Sequence, residues 1–137
     1  GIECDGKFLL VEEETDSGIR DNQPAGHLEC REALTDAVSR EVLEETAYRF
    51  VPKYLVGVYN WRNEAKDLTY LRFTFGGDIV GHDAGRTLDE GIIAAHWLTL
   101  DEIQARQASH RSPMLMRCID DWLAGRRYPL DLLVQFP

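Results

Sequence analysis

GHLECREALTDAVSREVLEETAY, residues 26–48, decides how the rest of this chain is read. From Leu34 to about Tyr48 the apolar residues Leu34, Val38 and Val42 fall four apart, which predicts a helix with one buried stripe. Thr35 or Asp36 is expected to cap its start. Glu41, Glu44 and Glu45 then occupy a sector of about 100° on one side of that helix, bordering the stripe instead of lying opposite it. Solvated helices place their charges away from the apolar face, and like charges at this spacing repel. Three carboxylates at a half-buried edge make sense as a seat for a cation. They make a good seat for Mg²⁺, which takes oxygen ligands and retains several waters. Arg40 and Glu44, at i and i+4, can pair and steady the array.

Working outward, Gly26 closes the segment NQPAGH and Glu32 follows six residues later. A glycine lets the backbone approach a metal or phosphate closely, so its carbonyl or a neighbouring N–H can serve as a ligand. The whole register is G26-x5-E32-x7-R40-E41-V42-x-E44-E45-x-A47-Y48. This resembles the Nudix box, the signature of hydrolases acting on nucleoside diphosphates linked to another group. One position departs: Ala47 stands where the family usually has glycine. Alanine in a left-handed helix end costs about 1 kcal/mol, so either Ala47 tolerates that strain or the helix runs on by a residue.

The resemblance implies an α/β/α sandwich with a mixed β-sheet, the box forming a loop–helix–loop at one end. It implies Glu41, Glu44 and Glu45 as ligands of Mg²⁺ (Mn²⁺ a possible substitute), with the Gly26 carbonyl as a further ligand. Glu32 and Arg40 match the positions that orient them. The implied reaction is attack of water on phosphorus, with Glu41 or Glu44 as general base; Asp89 and Glu90 are the candidates outside the box. NQPAGHLE (22–29), LRFTF (71–75), RSP (111–113) and GRRYPLDLL (125–133) extend the likeness to one branch of the family, the NudJ phosphatases. That branch implies nucleoside di- and triphosphates, or hydroxymethylpyrimidine diphosphate, as substrates.

Composition sets the frame for these residues. At 137 residues, 44% apolar and 28% charged, the chain fits one domain, 1–137, with a core of its own. A net charge of −9 and a pI near 4.8 disfavour nucleic acid as a partner. An acidic protein that handles phosphates needs metal ions to screen them. No apolar run approaches the ~18–20 residues that span a membrane, and no signal peptide is legible. Three cysteines, Cys4, Cys30 and Cys118, fit neither a disulfide framework nor a zinc site. A cytoplasmic monomer acting on a small phosphorylated molecule is expected. The opening residues GIECDGKFLL read as a strand end, a turn and a strand start, which points to a preceding segment.

Elsewhere the pattern predicts a strand over 7–14 and a long loop over 15–32. A hairpin of 53–61 and 68–80 is expected around the turn RNEAKD, followed by a strand over 92–98. Thr99 and Glu102 have capping-box spacing. Ser112-Pro113 opens a last helix, with Pro113 at its first position and Gly125 as its stop. Leu71, Phe73 and Phe75 alternate with Tyr70, Arg72 and Thr74, giving one buried and one more polar face. Trp61 either stacks on a substrate ring or packs on the sheet. Arg72 either binds a substrate phosphate or pairs with a box glutamate. His27 either reaches the phosphate or is simply exposed; Cys30 is read as structural. Against the hydrolase stand two alternatives: a silent Nudix-like module that binds a nucleotide as a sensor, and an acidic interaction domain that uses no metal.

Overall fold

Strand β2 (Lys7–Thr15) carries four consecutive buried apolar residues, Phe8 to Val11, so it must be covered on both faces. The computed structural model, which describes residues 2–25 and 27–136, shows how. Leu9 joins a core with Val42, Phe50, Leu55 and Phe75 on one side. Phe8 and Leu10 join a second core with Leu98, Ile103, Leu115 and Ile119 on the other. Helix α1 (Leu34–Thr46) supplies the first layer; α2 (Leu100–Ala105) and α3 (Met114–Leu123) supply the second. The result is the expected α/β/α sandwich.

Strand β6 (Ile92–Thr99) pairs with β2 along residues 7–13 of β2. β1 (Glu3–Cys4) and β3 (Gly18–Asn22) pair with the two ends of the opposite edge. The longest pairing is the ribbon of β4 (Tyr48–Asn63) and β5 (Leu68–His82), closed by a 3₁₀ turn at Glu64–Lys66. Every pairing between these strands is antiparallel. Among the described residues, the parallel component is an isolated bridge between Asp21 and His110.

Four expectations are corrected in detail. The segment 15–32 is not all loop, because 18–22 folds back on β2 as β3. Neither Thr35 nor Asp36 caps α1: the N-cap is Ala33, without a side-chain bond, which puts both residues inside the first turn. β4 begins before Pro52 and runs through it, since the register shifts between Pro52 and Tyr54 and a bulge spares the missing N–H. Gly77 faces Pro52 there, and a Cβ on it would lie 2.1 Å from the Val51 carbonyl oxygen. Finally, the two faces of β5 are not one buried and one polar. Phe75 and Phe73 meet the α1 core, while Thr74 is buried on the other side, sharing a 3.1 Å hydrogen bond with Cys118 of α3.

The caps of the later helices follow the sequence, except that Pro113 is the N-cap of α3 and not its first residue. Thr99 and Glu102 form a complete capping box. Pro113 immediately precedes α3, Ser112 Oγ accepts from the Met114 N–H at 3.2 Å, and Gly125 turns out of the helix at φ 81°.

Candidate active site

Arg40 organises the site. Its Nε and Nη2 donate to both oxygens of Glu32 at 2.7 and 3.0 Å, a planar fork,. Nη2 also donates to the His27 carbonyl at 2.9 Å, which holds the segment preceding α1 against the helix. Nη1 reaches Glu41 Oε1 at 2.7 Å and Glu44 Oε2 at 3.1 Å, with Glu29 at 3.5 Å. The hydrogen bond from Arg40 holds the Glu32 carboxyl below its usual range, and the same bond raises Arg40 in return. Glu32 and Arg40 therefore sit where an orienting pair would sit, one end on the loop and the other on two carboxylates.

Those carboxylates converge with a third. One oxygen each of Glu41, Glu44 and Asp89 lies within 4.8 Å of the others. Asp89 is delivered by the loop before β6, whose backbone docks on α1: the Asp89 N–H donates to the Glu44 carbonyl at 3.0 Å, and the Asp83 N–H to that of Ala47 at 2.8 Å. Burial pushes Glu41 upward, opposed by Arg40 and reinforced by the charges of Glu44 and Asp89. Glu45, buried on the same face, is pushed up to about 8 by burial, with Glu41, Glu13 and Asp89 adding to the effect. Its Oε1 accepts the Ala25 N–H at 3.0 Å. Several carboxylates held this close form an oxygen donor set that suits a hard divalent cation. Gly26, the remaining expected ligand, lies outside the described residues.

Ala47 settles the open question about the helix end. It adopts φ 65°, ψ 8° and donates its N–H to Leu43, so the left-handed cap is retained with an alanine in it.

A cleft of about 950 Å³ runs past these groups and is lined by Glu41, Glu44, Glu45, Asp89, Trp61 and Arg72. Trp61 stacks on Tyr70 of the facing strand, ring centres 5.6 Å apart, so it both packs on the ribbon and borders the cleft. No box glutamate bonds Arg72. Its Nη1 reaches the side-chain oxygens of Asn22 and Gln23 at 3.4 and 3.5 Å, and burial lowers its pKa. The His27 side chain borders the cleft as well. Glu90 is exposed and is neither in the carboxylate group nor in the cleft wall.

Sequence reasoning placed Asp89 as a possible base but not within the carboxylate group, because spacing does not reveal that the 83–91 loop docks on the helix. It also passed over Glu13 and Arg111, which line the same cleft and are ion-paired to each other. Alternation along β2 was the available signal for Glu13, since it shares a face with Leu9 and Val11.

The NUDIX domain family matches residues 2–118. Phosphatase NudJ of Escherichia coli strain K12 is 36% identical over 137 residues, covering 98% of this chain and 87% of that protein. A NUDIX hydrolase from Nitrosomonas europaea has a solved structure that superposes with a TM-score of 0.95 at 53% identity, over 98% of this chain and 92% of that one. The MutT protein of Methanosarcina mazei Go1 shares the fold at a TM-score of 0.71 and 23% identity, over 92% and 91% of the two chains. With the family matched from residue 2 to 118 and relatives of this identity spanning nearly the whole chain, the protein belongs to the Nudix hydrolases.

Proposed function

We propose that this Nudix hydrolase is Mg²⁺-dependent, with Mn²⁺ as a substitute, and cleaves phosphoanhydride bonds of nucleoside di- and triphosphates or of small diphosphates such as hydroxymethylpyrimidine diphosphate. The observation that carries the reading is the carboxylate group of Glu41, Glu44 and Asp89, oriented by the Arg40–Glu32 fork at the mouth of a cleft. Glu41, Glu44 and Glu45 with the Gly26 carbonyl are the proposed ligands, and Asp89 is added to them on its position. A metal held there would supply charge neutralisation at the leaving phosphate and a lowered pKa for its bound water.

The chain's own residues do the rest. Arg40 fixes the facing directions of Glu41 and Glu44, so the site is preorganised before substrate arrives. A carboxylate of the group takes the proton of the attacking water. Glu41 and Glu44 both contact Arg40, whereas Asp89 has no ion pair among the described residues, so Asp89 is the proposed base where it is not itself a ligand. Arg72 binds a phosphate and Trp61 stacks on the group the phosphate carries.

Phosphate release from a nucleotide panel, with and without Mg²⁺, tests this directly. Glu44→Gln and Glu45→Gln should each abolish most turnover, and Asp89→Asn separates a base from a bystander. Wild-type turnover untouched by either glutamine substitution sinks the proposal.

No helix among the described residues is long and apolar enough to cross a membrane. We assign the enzyme to the cytoplasm as a monomer, supported by its three unpaired thiols,; light scattering that shows a dimer in solution overturns the monomer.

A further inference from the structure

Arg72 has an unusual problem. Its guanidinium carries five N–H donors, yet among the described residues its bonds are two long ones to neutral amide oxygens, at 3.4 and 3.5 Å. Among the described residues no carboxylate lies within ion-pair distance of it. A charged group in this position is penalised unless an anion joins it. The same cleft wall holds a second arginine, Arg111, whose like charge disfavours the Arg72 cation while the carboxylates of Glu13 and Glu45 favour it. Two cations thus face one cavity in a chain whose net charge is −9.

Arg111 is held at its base by the backbone and at its tip by a single carboxylate. Its backbone N–H donates to the Asp21 carbonyl at 2.9 Å. Asp21, 2% exposed, is itself gripped by the Arg106 fork at 2.9 and 2.6 Å. The Arg111 side chain is 39% exposed and pairs through Nη1 with Glu13 Oε1. Glu13 lies on β2 opposite Ile92, next to the point where β6 carries one extra residue, Ile93. Asn22 Nδ2 also donates to Glu13 Oε1, at 3.5 Å.

We infer that Arg72 and Arg111 together form a phosphate seat beside the carboxylate group, in which Arg111 leaves Glu13 for the oxygens of a substrate phosphate other than the one attacked. Glu13 is then a placeholder: it neutralises Arg111 in the free enzyme and competes with substrate for it. The seat selects molecules with at least two linked phosphates, one for the carboxylate group and one for the arginine pair. This rests on the hydrolase reading above and adds two residues to it.

The test uses inorganic pyrophosphate bound to the full chain in EDTA, followed by calorimetry, alongside steady-state turnover of a nucleoside diphosphate in Mg²⁺. Arg111→Ala should weaken pyrophosphate binding about ten- to a hundredfold and raise KM by a similar factor, with kcat within about threefold. Glu13→Gln removes the competitor and should tighten pyrophosphate binding several-fold. A merely structural ion pair would lose stability in both variants and gain binding in neither. No pyrophosphate binding by the wild type, unchanged binding in Arg111→Ala, or weakened binding in Glu13→Gln each overturns the inference. Should Arg111→Ala fail to fold, Glu13→Gln decides alone. If the wild type turns over nothing, the hydrolase reading has failed, and the metal-free binding arm still decides the arginine seat.

Discussion

Arg40 contacts Glu29, Glu32, Glu41 and Glu44 as well as the His27 carbonyl. A planar fork can serve so many oxygens at once, whereas an ammonium is a single point charge. Arg40→Lys should therefore keep the helix and loosen the carboxylates, lowering apparent Mg²⁺ affinity about ten- to a hundredfold; metal titration of turnover measures it, and an unchanged midpoint refutes the orienting role. Ala47 tests backbone strain at the same scale. At φ 65° an alanine is disfavoured and a glycine is not, although the buried methyl offsets part of the gain. Ala47→Gly should raise stability by about 0.5–1 kcal/mol in urea, and a loss would mean that the packing of the methyl outweighs the strain. At this scale much was legible. Spacing alone brought Glu32, Arg40, Glu41, Glu44 and Glu45 into one neighbourhood, because a helix turns side-chain spacing into geometry. Asp89, Glu13 and Arg111 were not legible as site members, since each reaches the cleft through chain that no local period describes.

The elements show why alternation misleads when polar groups are buried in pairs. In β3, Ile19 is 52% exposed while Asp21 is 2% exposed, the reverse of an amphipathic strand, because Asp21 is satisfied by Arg106. The segment therefore reads as loop. Thr74 on β5 is buried for a related reason, having Cys118 of α3 as its partner. The largest such device joins α3 to β4. Asp121 accepts from Tyr59 at 2.7 Å and pairs with Arg117 at 3.1 Å and Arg126 at 3.4 Å. Burial alone would raise its pKa, but these donors outweigh it and hold the carboxyl below the usual range. A depressed folded-state pKa adds stability above the unfolded value, about 3.9, and that stability fades as pH falls toward the folded value. Asp121→Asn should thus cost about 1–2 kcal/mol at pH 7, discounted from a fully buried pair because Arg117 and Arg126 are largely exposed,. Urea melts of both proteins from pH 7 to pH 3 should show the gap narrowing below about pH 4; a gap that stays constant would remove the ion pairs from the account.

At the level of the whole molecule, the two cores and the site make opposite demands. The core between β2 and the β4–β5 ribbon anchors α1 through Leu34, Val38 and Val42, and that anchoring places Glu41 and Glu45, each 8% exposed, close to Asp89. The metal-free protein carries that repulsion in its folded state, and unfolding relieves it. Binding of the proposed divalent cation would reverse the balance, since a ligand taken only by the folded state stabilises by about 2.7 kcal/mol at a hundredfold excess over Kd. Glu45 exposes the trade most cleanly, because it sits outside the Arg40 contacts and its bond from Ala25 can be kept by the amide oxygen of glutamine. Glu45→Gln should raise the melting temperature of the metal-free protein and shrink the further rise expected of the wild type in Mg²⁺. Thermal melts in EDTA and in Mg²⁺ read both effects from one pair of proteins. A variant less stable than wild type in EDTA would mean that the charge on Glu45 is compensated within the fold. A full Mg²⁺ increment in the variant would remove Glu45 from the metal seat and leave it to Glu41, Glu44 and Asp89.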